Sequence, residues 1–216
     1  MNRITLLASQ CLGSNIVCDV GCDHGYVLIE AIKNYGVSHG IASDVAMGPL
    51  ASARKNIIAN KLSDKIDVVL SDGLKNVCAD FDTVIIAGMG GSLIVDILAS
   101  SFEKIKGKKL ILQPNNDRCK VRSFLNNNGF IISDEFSIID SNKYYEILVF
   151  NEGDRKYNEY ELKYGPILLK KKEEAFISHY KKIEDNIKSY IEKMTNCKMK
   201  NEKLLELKEV KGVLYE

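Results

Sequence analysis

The chain has 216 residues, 45% of them apolar and 27% charged, with a formal net charge of +1. That is the balance of a globular protein with a real core, enough for one ordinary domain plus an appendage. No apolar run is long enough to span a bilayer, and the charge makes no case for or against nucleic acid.

The opening "MNRITLLASQCLGS" lacks a basic n-region and a cleavage site, and reads as a mature cytoplasmic N-terminus. "NIVCDV" predicts a first strand and "YVLIEAIKNY" a helix behind it. "GIASD" ends a second strand, "PLASARKNIIANK" is a helix, "IDVVLSD" a third strand and "FDTVIIAG" a fourth. "SLIVDILASSFEKI" predicts one continuous helix, "KKLILQPN" a fifth strand, and "DRCKVRSFLNNNG" a helix closed by Gly129. "FIISDEFSIID" and "KYYEILVF" follow with nothing helical between them, and should pair as an antiparallel hairpin. Seven strands, with helices between the first six and an antiparallel end, match the α/β sheet of class I methyltransferases. A dinucleotide-binding domain would finish with six parallel strands.

Beyond Phe150 the chain turns polar, and "NEGDRKYNEYELKYG" reads as a junction. The expected division is a Rossmann-like domain over residues 1–155 and a helical, coiled-coil-like unit over 156–216. Pro166 suits the first turn of a helix. From there Leu169, Phe176, Tyr180, Ile183, Ile187, Tyr190 and Met194 trace one seam. Leu204, Leu207 and Leu214 continue it beyond a polar break near "TNCKMKN". A helical hairpin with its own seam and helices packed on the sheet both fit this pattern.

Ligands of an open α/β sheet sit beyond the carboxyl ends of the strands, where strand order reverses. "DVGCDHG" (19–25) closes the first strand there. Gly21 permits a tight turn and Gly25 lets the next helix pack closely. Asp23, however, would repel a pyrophosphate by an energy on the order of a few kcal/mol. The loop therefore suits a cationic, phosphate-free ligand such as S-adenosyl-L-methionine. Asp19 and Asp23 suit its positive groups, Asp44 can accept both ribose hydroxyls and Asp72 the adenine amine, with Gly21, Cys22, His24, Gly25, Val45, Gly73 and Gly88 as further expected cofactor contacts. "IAGMGGSL" contributes Gly88, Met89 and Gly90, which let backbone approach a flat ligand. "LQPN" contributes Gln113 and Asn115, whose amides suit a base edge, with Pro114 stiffening the turn. Six cysteines (Cys11, Cys18, Cys22, Cys78, Cys119, Cys197) include no second close pair, and the three histidines are far apart, so no metal is expected.

With "DVGCDHGY", "SDVAMGPLASARKN", "LSDGL", "FDTVIIAGMGGSLI", "LILQPN" and "KYYEILVF" in order over residues 1–150, the sequence resembles the bacterial tRNA (adenine(22)-N1)-methyltransferase family, the TrmK-like proteins. Cys22 stands where that family often has serine. The resemblance implies methyl transfer from S-adenosyl-L-methionine to N1 of an adenine in the D-loop region of tRNA. Residues 88–90 and 113–115 would hold the base, and Asp23 would stabilise the positive charge on the methylated ring. His24 is expected to support the cofactor or its loop, because N1 needs no general base. Arg3, Lys170, Lys171, Lys172, Lys181 and Lys182, with the lysines of "EKIKGKK", are candidate RNA contacts, although they are interleaved with acids. The other readings are a methyltransferase of another RNA, a protein or a small molecule, and a non-catalytic cofactor-binding assembly protein. Nothing in the sequence calls for an oligomer, and a monomer is the expectation.

Overall fold

The computed structural model describes residues 1–194 and 197–215. Asn2 begins the first helix, α1 (Arg3–Ser9), by accepting the Thr5 amide on its side chain. There follow β1 (Ile16–Val20), α2 (Tyr26–Asn34), β2 (His39–Asp44), α3 (Met47–Ala59), β3 (Ile66–Leu70) and β4 (Thr83–Met89). Next come α4 (Gly91–Ser100), α5 (Phe102–Ile105), β5 (Lys109–Pro114), α6 (Arg118–Asn127), β6 (Phe130–Asp140) and β7 (Lys143–Glu152). The tail holds α7 (Glu159–Tyr164), α8 (Leu168–Lys171), α9 (Glu174–Lys193) and α10 (Cys197–Tyr215).

The seven strands are ordered β3-β2-β1-β4-β5-β7-β6, with β7 antiparallel to both neighbours. Alternation along β1 feeds two cores. Cys18 and Val20 join Ile94, Leu98, Val121 and Leu125 on one face. Val17 joins Leu7, Leu28, Leu50 and Ile57 on the other. Strand order reverses between β1 and β4, so the crevice that should receive a ligand opens there.

Three local readings are corrected. The helix expected over 92–105 breaks at Ser101, giving α4 and α5. No helix joins β3 to β4. Instead Lys104 pins that loop by donating to the carbonyls of Leu74, Lys75 and Val77. The other lysines of "EKIKGKK" are also engaged, Lys106 by Glu103, Lys108 by Asp80 and Lys109 by the Gln10 carbonyl, at the end of β5 away from the crevice. Lastly, the polar junction contains a real helix. Asn158 and Glu161 form a reciprocal capping box at the start of α7, the pattern Asn-x-x-Glu. Pro166 lies between α7 and α8 rather than at the head of a long helix.

The tail has its own core and also packs on the sheet, so both arrangements left open by the sequence occur together. Phe176, Tyr180 and Ile187 meet Val210, Val213 and Leu214. Tyr190 (61% exposed) and Leu204 (44%) fall off this seam. Part of the expected polar break, at Thr195 and Asn196, lies outside the described residues.

A buried ion cluster fastens the tail to the hairpin. Arg122 on α6, fully buried, donates to Glu135 on β6 and Glu146 on β7, each at 2.7 Å, and to the carbonyls of Leu162 and Lys163. Glu135 also accepts the Ile167 amide at 2.9 Å. Gly165 has to be glycine here: its φ is +90°, and a Cβ would stand 2.7 Å from both Glu135 oxygens. Removing Arg122 would leave two carboxylates buried without their partner. Arg122→Met should therefore lose about 3–5 kcal/mol in urea unfolding, measured by far-UV circular dichroism.

Candidate functional site

A cavity of about 560 Å³ opens at the carboxyl ends of β1, β2 and β4, roofed by α1. Of the residues expected at the site, Asp19, Gly21, Cys22, Asp23, His24, Asp44, Gly88, Met89 and Asn115 line it. Its floor is set by the loop after β1. The Gly21 and Cys22 amides both donate to the Ser43 carbonyl, and the chain passes through left-handed conformations at Gly21, Asp23 and Gly25. Asp23 tolerates this because a short carboxylate side chain is one of the few that enter that region. A Cβ on Gly21 would meet the Met89 side chain at 2.1 Å.

Asp19 takes an inward slot of β1 and is only 3% exposed. Among the described residues no donor reaches its carboxylate, which faces the cavity instead. Burial, then the neighbouring carboxylates of Asp44 and Asp23, push its pKa up to about 7. Asp44 accepts the Ala46 amide on one oxygen at 3.0 Å. Asp23 and His24 are exposed at the rim, 3.6 Å apart, and His24 stacks on Tyr26. The Cys22 thiol is buried and its pKa raised, first by burial and then by Asp19, so it is no nucleophile.

The opposite wall is a chain of amides. Arg3, which begins α1 and lies over the Tyr145 ring, donates from Nη1 to Gln113 Oε1 at 2.6 Å. Gln113 Nε2 donates to Asn115 Oδ1 at 3.0 Å, and Asn115 Nδ2 to the Gly88 carbonyl at 2.7 Å. A guanidinium only donates, so the orientation of both amides follows from Arg3. A register shift between Ala87 and Met89 against β5 frees that carbonyl from regular pairing.

Other expected residues stand outside the cavity, among the described residues. Gln113 and Pro114 are buried behind Asn115. Gly25 begins α2 against Ala53, and Gly90 begins α4, whose Gly91 amide donates to Asn116. Val45 is 71% exposed. Asp72, beyond the edge strand β3, is drawn to Lys75, and Gly73 packs under Ile97. Arg3 belongs to the cavity rather than to the outer surface, a departure from its expected place. Lys171 is held by Asp134 at 2.6 Å and Lys172 by the Leu214 carbonyl, so both brace the tail. Lys170, Lys181 and Lys182 are exposed. Sequence reading missed Tyr26 and Tyr145 at the cavity. The signal for Tyr145 lay in the antiparallel last strand, whose first residues must sit beside the last residues of β5. No group of three or more metal-ligating side chains exists among the described residues.

A model of the family "TrmK: tRNA (adenine(22)-N(1))-methyltransferase" matches residues 17–213. The chain belongs to the TrmK family. It is 31% identical to the tRNA (adenine(22)-N(1))-methyltransferase of Bacillus subtilis, over 96% of this chain and 91% of that protein. Its fold superimposes on Sp1610 of Streptococcus pneumoniae in complex with S-adenosyl-L-methionine, with a TM-score of 0.88, 33% identity and full coverage of both chains. The crystal structure of the B. subtilis M1A22 tRNA methyltransferase TrmK gives a TM-score of 0.83 and 28% identity, covering 99% of this chain and 98% of that one.

The buried Asp19 has a thermodynamic signature. A folded-state pKa of about 7 against 3.8 means the native state binds the proton more tightly, so this group's contribution to stability falls as pH rises from about 4 to about 7. Asp19→Asn should be more stable than the unliganded wild type at pH 8, by on the order of 4 kcal/mol. The gap should close towards pH 4, as read by thermal melts across that range.

Proposed function

We propose that this chain methylates N1 of adenine 22 in tRNA, using S-adenosyl-L-methionine. One observation carries the reading: a buried carboxylate, Asp19, faces the crevice with no donor among the described residues and with two further carboxylates beside it. That set fits a cationic ligand and would expel a pyrophosphate. The cofactor supplies an electrophilic methyl group on a sulfonium. Asp19 and Asp23 would hold its positively charged end, the free oxygen of Asp44 its ribose, and Gly21 and Gly88 would let backbone approach it. Helical residues 156–216 would extend the RNA-binding surface of the catalytic unit 1–155. We place the enzyme, as a monomer, in the cytoplasm with its substrate.

Adenine N1 carries an in-plane lone pair and attacks without a general base, so the protein contributes alignment and exclusion of water. The base must leave its stack to enter the crevice. Any N–H donor aimed at N1 would occupy the attacking lone pair. The bond from Asn115 Nδ2 to the Gly88 carbonyl uses one of its two N–H groups and fixes which way the amide faces, while Oδ1 retains a lone pair to accept from the adenine N6 amino group. Arg3 and Gln113 act through Asn115 as positioning residues. Asp23 at the rim would stabilise the positive charge that N1 methylation leaves on the ring.

The deciding experiment is incubation with labelled S-adenosyl-L-methionine and unmodified tRNA, followed by nucleoside mapping. N1-methyladenosine at position 22 supports the assignment, and its absence overturns it. A cation binds the ionised form of Asp19, so cofactor affinity measured by calorimetry should weaken as pH falls below about 7, approaching tenfold per unit. Asp19→Asn should weaken binding throughout and flatten that profile. Arg3→Ala should lower kcat on the order of 10- to 100-fold with cofactor affinity unchanged. Arg3→Lys, which still donates to Gln113, should recover part of that loss. Equal loss in both variants would remove Arg3 from the positioning chain.

A further inference from the structure

A second cavity, of about 660 Å³, adjoins the first and shares Asn115 and Tyr145 with it. It lies between the tip of the β6–β7 hairpin and α9. Tyr144 and His179 stack flat on each other inside it, rings 5° from parallel and centroids 3.8 Å apart. Ile139 and Ile183 add apolar surface. Burial, then Arg118, lowers the His179 pKa to about 4, so its imidazole is neutral and its charge does not define the cavity. The charge comes from Lys143 and Lys182, both exposed, with no ion-pair partner within 4 Å among the described residues. No Asp or Glu lines the cavity among those residues, although the surrounding tail is rich in both.

We infer that this outer cavity binds a nucleotide flanking the methylated adenosine, its phosphate on Lys143 and Lys182 and its base against Tyr145 and the edge of the Tyr144–His179 stack, the Tyr144 ring being covered by His179 and Arg118. The inference rests on the RNA reading of the inner site. A base extruded from a strand carries its neighbours to the mouth of the pocket. There they meet the surface that begins on the far side of Asn115 and Tyr145. Basic side chains beside aromatic rings are the combination that holds unstacked nucleotides with little regard to sequence. Asn142 and Asn186 line the same cavity and can read a base edge or a 2′-hydroxyl. The tail thereby gains a specific role, with α9 supplying one side of a subsite whose other side belongs to the sheet.

The test uses the full chain and an unmodified tRNA transcript. Lys143→Glu with Lys182→Glu should raise KM for tRNA roughly tenfold or more, and make its salt dependence shallower by about 0.7–0.9 per lysine in log–log slope. Cofactor affinity should stay at the wild-type value, which also reports that the inner site is folded. Arginine at both positions should keep the wild-type KM, and Lys106→Glu, at the other end of the sheet, should leave it unmoved. Transcripts carrying 4-thiouridine on either side of the target should photocrosslink to peptides containing residues 142–145 or 178–186. A KM within twofold of wild type in the double glutamate variant, or crosslinks confined to other peptides, would overturn the subsite. Failure of the wild-type enzyme to form N1-methyladenosine overturns the functional reading instead, and the crosslink then decides the subsite alone.

Discussion

The antiparallel insertion of β7 between β5 and β6 constrains nearly everything of functional interest in this molecule. A parallel strand would bring its carboxyl end to the crevice. β7 brings its amino end, so Lys143, Tyr144 and Tyr145 arrive beside the last residues of β5. The same reversal turns Glu146 towards Glu135 and α6, where Arg122 holds both carboxylates. That cluster then accepts Ile167 and donates to the carbonyls ending α7, which fixes where the helical tail departs. One strand direction thus joins the amide-lined wall of the crevice, the buried ion cluster and the placement of α9.

Two groups of buried charge serve opposite ends. Around Arg122 each carboxylate has a guanidinium partner, so the cluster is satisfied within the fold and specifies one docking geometry. In the crevice the Asp19 carboxylate has no cationic partner among the described residues, and Asp23 and Asp44 add two further carboxylates beside it. The first arrangement makes a rigid joint, and the second leaves a site whose free energy falls when a cation enters. A fold at its stability optimum would not carry the second, and that excess of negative charge marks the crevice as functional.

The sheet was legible because its strands are mostly apolar runs closed by turn-forming residues such as glycine, aspartate or Pro-Asn, and these patterns depend on neighbours in sequence. Asp19, Asp23 and Asp44 were legible for the same reason, since strand ends of a parallel sheet converge. Asp72 stands outside the cavity because β3 is the edge strand, and a lysine three residues on pairs with its carboxylate. The α7 capping box was present as Asn158 and Glu161 but sat in a segment too polar to look helical. Lys171 and Lys172 were expected as RNA contacts, and only the tail's packing reveals their bonds to Asp134 and the Leu214 carbonyl. The role of Arg3 was hidden altogether, because its partner Gln113 lies 110 residues away.

The amide chain explains why a reaction needing no general base still has so polar a wall. Alkylation at a lone pair is easily spoiled by a stray donor, and an unconstrained asparagine offers one as readily as it offers an acceptor. Arg3 cannot accept, so Gln113 must present oxygen to it and nitrogen to Asn115. Asn115 in turn must present oxygen to Gln113 and nitrogen to Gly88. A single fixed charge at the start of α1 thereby selects one of the two orientations at each amide, two residues removed. The Gly88 carbonyl is available to end the chain because the strand register slips there, and the φ of +79° that accompanies the slip is a conformation glycine adopts without strain. Glycine at this position is therefore favoured by the backbone conformation on which the orientation of Asn115 depends.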